Sequence, residues 1–168
     1  MRRLALLAAS AALVLGLGAQ PVAARQPGPT IVGTALAVNA QTGEFDYLIQ
    51  AVVRAGLVDT LNGNRQFTVF APSDAAFEDL FAAICVSGVS DIPVDTLTAV
   101  LLYPVAPGER FSGDVVSSSR IRTVSKGFLI PSVHDGGAWV NDARIVAADV
   151  DASNGVIHVI DKVLLPQG

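Results

Sequence analysis

A chain of 168 residues with 51% apolar and 15% charged side chains is long and apolar enough for one domain with an ordinary core, and too apolar to stay disordered. Its 11 basic and 15 acidic side chains give a net charge of −4, which disfavours nucleic acid and anionic lipid as partners, since both are held chiefly by clustered Lys and Arg. A single cysteine excludes a disulfide scaffold.

Met1-Arg2-Arg3 is followed by an uncharged, mostly apolar run over 4–18, then by Gln20, Pro21 and the small residues Val22, Ala23 and Ala24. These are the three parts of a secretory signal peptide. The apolar run is shorter than the ~20 residues of a spanning helix, so residues 1–24 are read as a leader cleaved after Ala24 and not as an anchor. Cleavage removes two arginines and leaves 9 basic and 15 acidic residues, a charge of −6. No cysteine lies near the cleavage site and no apolar segment ends the chain. The product is expected to be secreted and extracellular, or periplasmic if the envelope has an outer membrane, with no membrane insertion.

Residues 25–29 contain Pro27, Gly28 and Pro29 and read as a linker before a domain over 30–166. Phe45, Leu48, Ile49 and Val52 then recur at helical spacing within 44–55, with Gly56 as a stop and Leu57, Val58 and Leu61 as a further turn. Phe67 to Phe70 is a short β-prone run ended by Ala71-Pro72. Ser73 is placed to cap a helix over 75–83. Pro93 and Asp95 open a third helix through Leu101, which must end at Tyr103 because Pro104 follows.

From Phe111 the chain breaks into short β-branched stretches. Expected strands are 115–116, 121–125, 128–133, 138–140, 144–150 and 156–163, parted by the turn signals Lys126-Gly127, Asp135-Gly136-Gly137 and Asn154-Gly155. Helices first and strands afterwards imply an α+β fold with a mostly antiparallel sheet.

Chemistry is sparse. His134, His158 and Cys85 stand far apart without metal-ligand spacing, and no metal is expected. His134 precedes a glycine-rich turn and is expected in solvent. His158 sits among Val156, Ile157, Val159 and Ile160, as a buried and hydrogen-bonded structural group would. Glycine-rich nucleotide loops and nucleophile elbows are missing, so no cofactor and no catalytic residue is assigned. The alternative reading is a small secreted hydrolase using His158 or His134 with a nearby carboxylate. Cys85 follows Phe81-Ala82-Ala83-Ile84 and is expected to pack as a small hydrophobe. A monomer is therefore expected, with a Cys85-linked dimer as the lesser alternative.

Two stretches carry a family likeness. Residues 67–77, Phe-Thr-Val-Phe-Ala-Pro-Ser-Asp-Ala-Ala-Phe, and residues 154–166, Asn-Gly-Val-Ile-His-Val-Ile-Asp-Lys-Val-Leu-Leu-Pro, resemble the two signatures of fasciclin (FAS1) domains, in the right order. The likeness spans about residues 30–166. It implies a FAS1-like wedge of mostly antiparallel strands packed with several helices, of a secreted single-domain bacterial type. It also implies a non-enzymatic role in cell adhesion or in association with the cell envelope or matrix. The partner would be a cell-surface or matrix protein or polysaccharide. The family's Tyr-His adhesion motif stands here as Tyr103-Pro104. A second adhesion motif aligns with 147–151, where only Asp149 and a branched aliphatic are kept. The resemblance thus implies a docking patch around Tyr103, Pro104 and Asp149, without an integrin as ligand.

Overall fold

The computed structural model describes residues 28–166; the proposed leader and most of the linker lie outside them. Two strands organise the rest. β1 (Phe67–Pro72) and β8 (Gly155–Ile160) pair in parallel, from Phe67 opposite Gly155 to Pro72 opposite Ile160, and every residue of both is buried. Their near-continuous apolar sequences suit strands covered on both faces.

Between them in sequence come α4 (Asp74–Ile84), a 3-10 turn (Val89–Asp91), α5 (Val94–Leu102), β2 (Val105–Pro107), α6 (Ser112–Ser117), and the strands β3 (Ile121–Arg122), β4 (Phe128–Leu129), β5 (Pro131–His134), β6 (Gly137–Val140) and β7 (Ala143–Ala152). Before β1 lie α1 (Ile31–Thr42), α2 (Asp46–Arg54) and α3 (Val58–Leu61). The main sheet has the order β2-β1-β8-β7-β6-β5, with only the β1–β8 pair parallel, and β3 and β4 form a separate hairpin. This is the α+β architecture expected, with the sheet mixed at its centre.

Strand alternation divides the interior in two. Val69, Ala71, Ile157 and Val159 face a core built with the helices through Leu48, Phe77, Phe81, Leu97 and Leu101. Phe70 and Ile160 face a second core with Tyr103, Val115, Ile121, Leu129 and Val140. The helical side holds an apolar cavity of about 50 Å³.

Local polar ties set the elements. Ser73 Oγ accepts from the Ala76 amide and caps α4 as read from sequence. Its neighbour Asp74 reaches across and accepts from the amides of Asp46 and Tyr47, so one corner caps two helices. Asn154 does more than turn the chain. Buried, it accepts from the Ile31 amide at 2.8 Å and donates to the carbonyls of Leu61 (2.6 Å) and Gly63 (3.2 Å), tying α1 and α3 to the β7–β8 connection.

Several expectations are corrected. Val115-Val116 is not a strand but part of α6, with Val115 turned into the second core. The expected strand over 121–125 keeps only Ile121–Arg122, because Thr123 and Lys126 close a turn. The run 128–133 splits at Ile130, whose amide and carbonyl are both taken by Asn141. β8 ends at Ile160. The residues 31–42, left unassigned above, are a helix capped by Thr30 and closed by Gly43 in left-handed geometry. Cys85 is exposed, not packed: it occupies the left-handed position (φ 57) that terminates α4, which turns its side chain off the helix's apolar face.

The β7–β8 connection should tolerate little. A Cβ on Gly155 would lie 1.9 Å from the Phe67 carbonyl oxygen, so Gly155→Ala must push β8 from β1 and should cost about 3 kcal/mol. Asn154→Ala strands the Ile31 amide and the Leu61 carbonyl and should cost about 2 kcal/mol. Urea unfolding of both variants checks this; a loss under about 0.5 kcal/mol in either would refute the assignment.

Candidate functional site

His158 lies opposite Phe70 across the β1–β8 pair, fully buried, the two rings stacked with centroids 5.3 Å apart and planes inclined by 28°. Nδ1 accepts from the Asp149 amide at 3.3 Å, so the ring proton is on Nε2, which donates to the Arg110 carbonyl at 2.9 Å. The adjacent Thr68 hydroxyl donates to the Gly108 carbonyl and accepts from the Arg110 amide. Asp149 sits on a β7 irregularity in left-handed geometry and accepts from the amide and the hydroxyl of Ser112, both at 2.6 Å. Residues 108–112 are thus a strap held against the sheet by Thr68, His158 and Asp149.

This network is structural in form. Both nitrogens of His158 are spent on backbone groups, and among the described residues no Ser, Thr or Cys side chain bonds either histidine. His134 is half-exposed on the β5–β6 hairpin, bonds Asp135 at 3.0 Å and stacks on Trp139 with centroids 4.6 Å apart. No group of three potential ligands among the described residues could hold a metal ion. The hydrolase alternative gains no support.

Of the three residues expected to form a patch, two are buried. Tyr103, 4% exposed, donates its hydroxyl to the Phe128 carbonyl at 3.1 Å, and its ring packs against Gly127. Pro104 is also buried and lines the apolar cavity on the helical side. Only Asp149 is exposed, and it lines neither the cavity nor the groove above Tyr103. The three therefore present no common surface.

The surface above Tyr103 is nonetheless a groove of about 670 Å³ with Tyr103 as its floor. Phe128 and Ile130, 45% and 60% exposed, stand in it beside Ser132, Asn141 and Asp142. Asn141 donates to the Tyr103 hydroxyl at 3.5 Å, and Lys162 pairs with Asp142. Sequence reading passed over these residues, although alternation through 128–132 puts Phe128 and Ile130 on one face with Ser132 while Leu129 and Pro131 turn inward. An apolar pair on the outward face was the available signal.

Beyond this groove lies an open cleft of about 730 Å³ between the 60–66 turn and the β3–β4 hairpin, with Arg65 on one wall and Arg122 and Lys126 on the other. The hairpin is fixed to the sheet edge by the Val124 amide donating to the Val105 carbonyl at 2.8 Å.

Burial holds the His158 imidazole below its ordinary value of 6.5, against the opposing pull of its bond to Arg110 and the charge of Asp149. The unfolded chain then binds more protons than the folded one just below pH 6.5, so stability must be full above that pH and fall as pH drops through it towards the folded value. Asp149, lowered chiefly by the Ser112 hydroxyl, contributes a separate loss only in the acidic carboxylate range. Urea midpoints from pH 8 to pH 5 should show the first decline in the wild type and not in His158→Gln. A decline of equal size in both would remove His158 as its source.

A fasciclin-domain family model matches residues 43–166. The chain is 41% identical over 133 residues to protein sll1483 of Synechocystis, spanning 79% of this chain and 73% of that one. It is 32% identical to the cell surface glycolipoprotein MPB83 of Mycobacterium bovis, spanning 96% of this chain and 76% of that protein. Its fold matches the FAS1 domain pair of the insect cell adhesion molecule fasciclin I with a TM-score of 0.68 at 19% identity, over 82% of this chain and about half (51%) of that one. The matched span contains the strap, the buried parallel pair and both signature segments, and the chain is a member of the fasciclin-domain family.

Proposed function

We propose that this is a secreted fasciclin-domain binding protein that mediates adhesion, or association with the cell envelope or matrix, by non-covalent surface contacts and not by catalysis. The observation that carries the reading is the groove over Tyr103, where two exposed apolar side chains are flanked by Ser132 on β5 and by Asn141 and Asp142 in the β6–β7 turn, which Asn141 ties to Ile130. An apolar centre with a polar margin is the composition of a docking surface. Tyr103 takes part from beneath, by fixing the hairpin that carries Phe128. Pro104 holds the turn into β2, and Asp149 offers its remaining lone pairs on a separate face. The partner class is a cell-surface or matrix protein or polysaccharide. Export rests on the 1–24 leader and is supported by the cell-surface relative in Mycobacterium bovis.

The test is capture of cells of the source strain by protein-coated beads. Phe128→Ser and Ile130→Ser should each lower capture about 10-fold, the size of a hot-spot loss, at an unchanged melting temperature. Val53→Ser, at a site equally exposed on α2, should leave capture unaltered. Wild-type capture by both groove variants would overturn this placement.

A further inference from the structure

The geometry points to the cleft between the 60–66 turn and the β3–β4 hairpin as a binding site for an acidic polysaccharide, its carboxylate or sulfate groups held by Arg65, Arg122 and Lys126. The cleft lines three cations and no acid, in a chain whose overall charge is negative. None of the three side chains makes an ion pair or hydrogen bond with another described residue, whereas Arg54, Arg120 and Lys162 are engaged by Ser90, Phe128 and Asp142. Three unpaired cations facing one concavity repel one another, and an anion placed there relieves the repulsion and focuses the field. The planar forks of the two arginines match a carboxylate or sulfate bidentately.

The rest of the lining selects among anions. Thr60, Asn64 and Gln66, all exposed, supply a hydroxyl and two amides, which suit a chain of ring hydroxyls. The aromatic ring at the cleft, Phe67, is buried within β1, so no exposed platform exists there for stacking nucleic-acid bases. The apolar members Pro107 and Val124 lie on an open wall and form no deep socket for the side chains of an acidic peptide strand. Glu109 lies beyond the lining, against Gln66. The cleft shares the β3–β4 hairpin with the groove over Tyr103, Arg122 being paired with Phe128 across the two strands, but the two have no lining residue in common, and the test of one does not depend on the other.

Binding is measured by interferometry to immobilised polygalacturonate, heparin, dextran, poly-glutamate and single-stranded DNA at 20 to about 300 mM salt. Wild type should bind polygalacturonate or heparin, and not dextran, with the logarithm of its affinity falling linearly with the logarithm of salt concentration. Preference between the first two distinguishes carboxylate from sulfate. Arg65→Ala/Arg122→Ala/Lys126→Ala should weaken this at least about 10-fold, one charge-assisted contact's worth, and Arg65→Lys/Arg122→Lys should retain part of it. Arg54→Ala/Arg144→Ala/Lys162→Ala, with the same charge change away from the cleft, should bind as wild type. Equal loss in the two triple variants, tighter binding to poly-glutamate or DNA, or no retention on either acidic polymer at low salt would each overturn the proposal. Melting temperatures of all variants confirm that the exposed substitutions leave the fold intact.

Discussion

The parallel pairing of β1 with β8 is the constraint on which the molecule depends. Parallel neighbours cannot be joined by a tight turn, so the chain from Ser73 to Asn154 serves as the crossover between them. Because both strands are buried on both faces, each face requires its own cover. The helices supply one and the curled β3–β7 region the other, which is why a domain of this size has two hydrophobic clusters. His158 stands at the middle of the pair. A buried imidazole without partners would be costly, and the two backbone bonds that satisfy it also stitch the 108–112 strap to the β7 irregularity. The histidine that its apolar neighbours in sequence mark as structural is a fastening.

Much of this arrangement was legible because local signals agreed with one another. In α2 the apolar stripe and the glycine stop coincide, in α4 the serine cap marks the start, and β1 ends where proline and that capping serine say it should. The helix over 31–42 escaped because its apolar residues surround the axis and give no stripe, although Thr30 and Gly43 marked both ends. In α6 two adjacent valines suggested a strand; six residues are too few for periodicity to outvote β-branched propensity, and the inward turn of Val115 decided it. The hairpin signals also changed rank. The two-residue loop with positive φ at both centres is Asp135-Gly136, as a type I′ turn requires, while Asn154 was drawn into a buried hydrogen-bond set reaching residues 31, 61 and 63. No sequence pattern announces partners that distant.

The surface was less legible than the core. Family likeness directed attention to Tyr103, Pro104 and Asp149, but motif position carries no information on exposure. Tyr103 and Pro104 follow α5 into the interior, and the Asp149 carboxylate is already bonded to Ser112. Exposure has to be computed from alternation, and that logic singles out Phe128 and Ile130. Clefts made by segments far apart in sequence, such as Arg65 facing Arg122, have no linear signature at all. Cys85 shows the converse limit, since an apolar neighbourhood in sequence ended at a left-handed helix terminus that turned the thiol outward.

The β3–β4 hairpin borders both clefts, and its rigidity determines what either can do. Two residue pairs would not hold such a hairpin alone. It is held by the Val124 amide on the β2 edge, by Ile121 and Leu129 buried in the second core, and by the Tyr103 hydroxyl on the Phe128 carbonyl. The Tyr103 ring lies so close to Gly127 that a Cβ there would come within 2.7 Å of it, so the hairpin fits against the ring only because residue 127 lacks a side chain. Under the docking roles proposed above, a hairpin fixed in this way would lose little further freedom when a partner arrives, and contact energy at Phe128 or Arg122 would appear as affinity and not be consumed in ordering. Tyr103, buried as the floor of the groove, is in this sense the residue that fixes the shape of the surrounding surface.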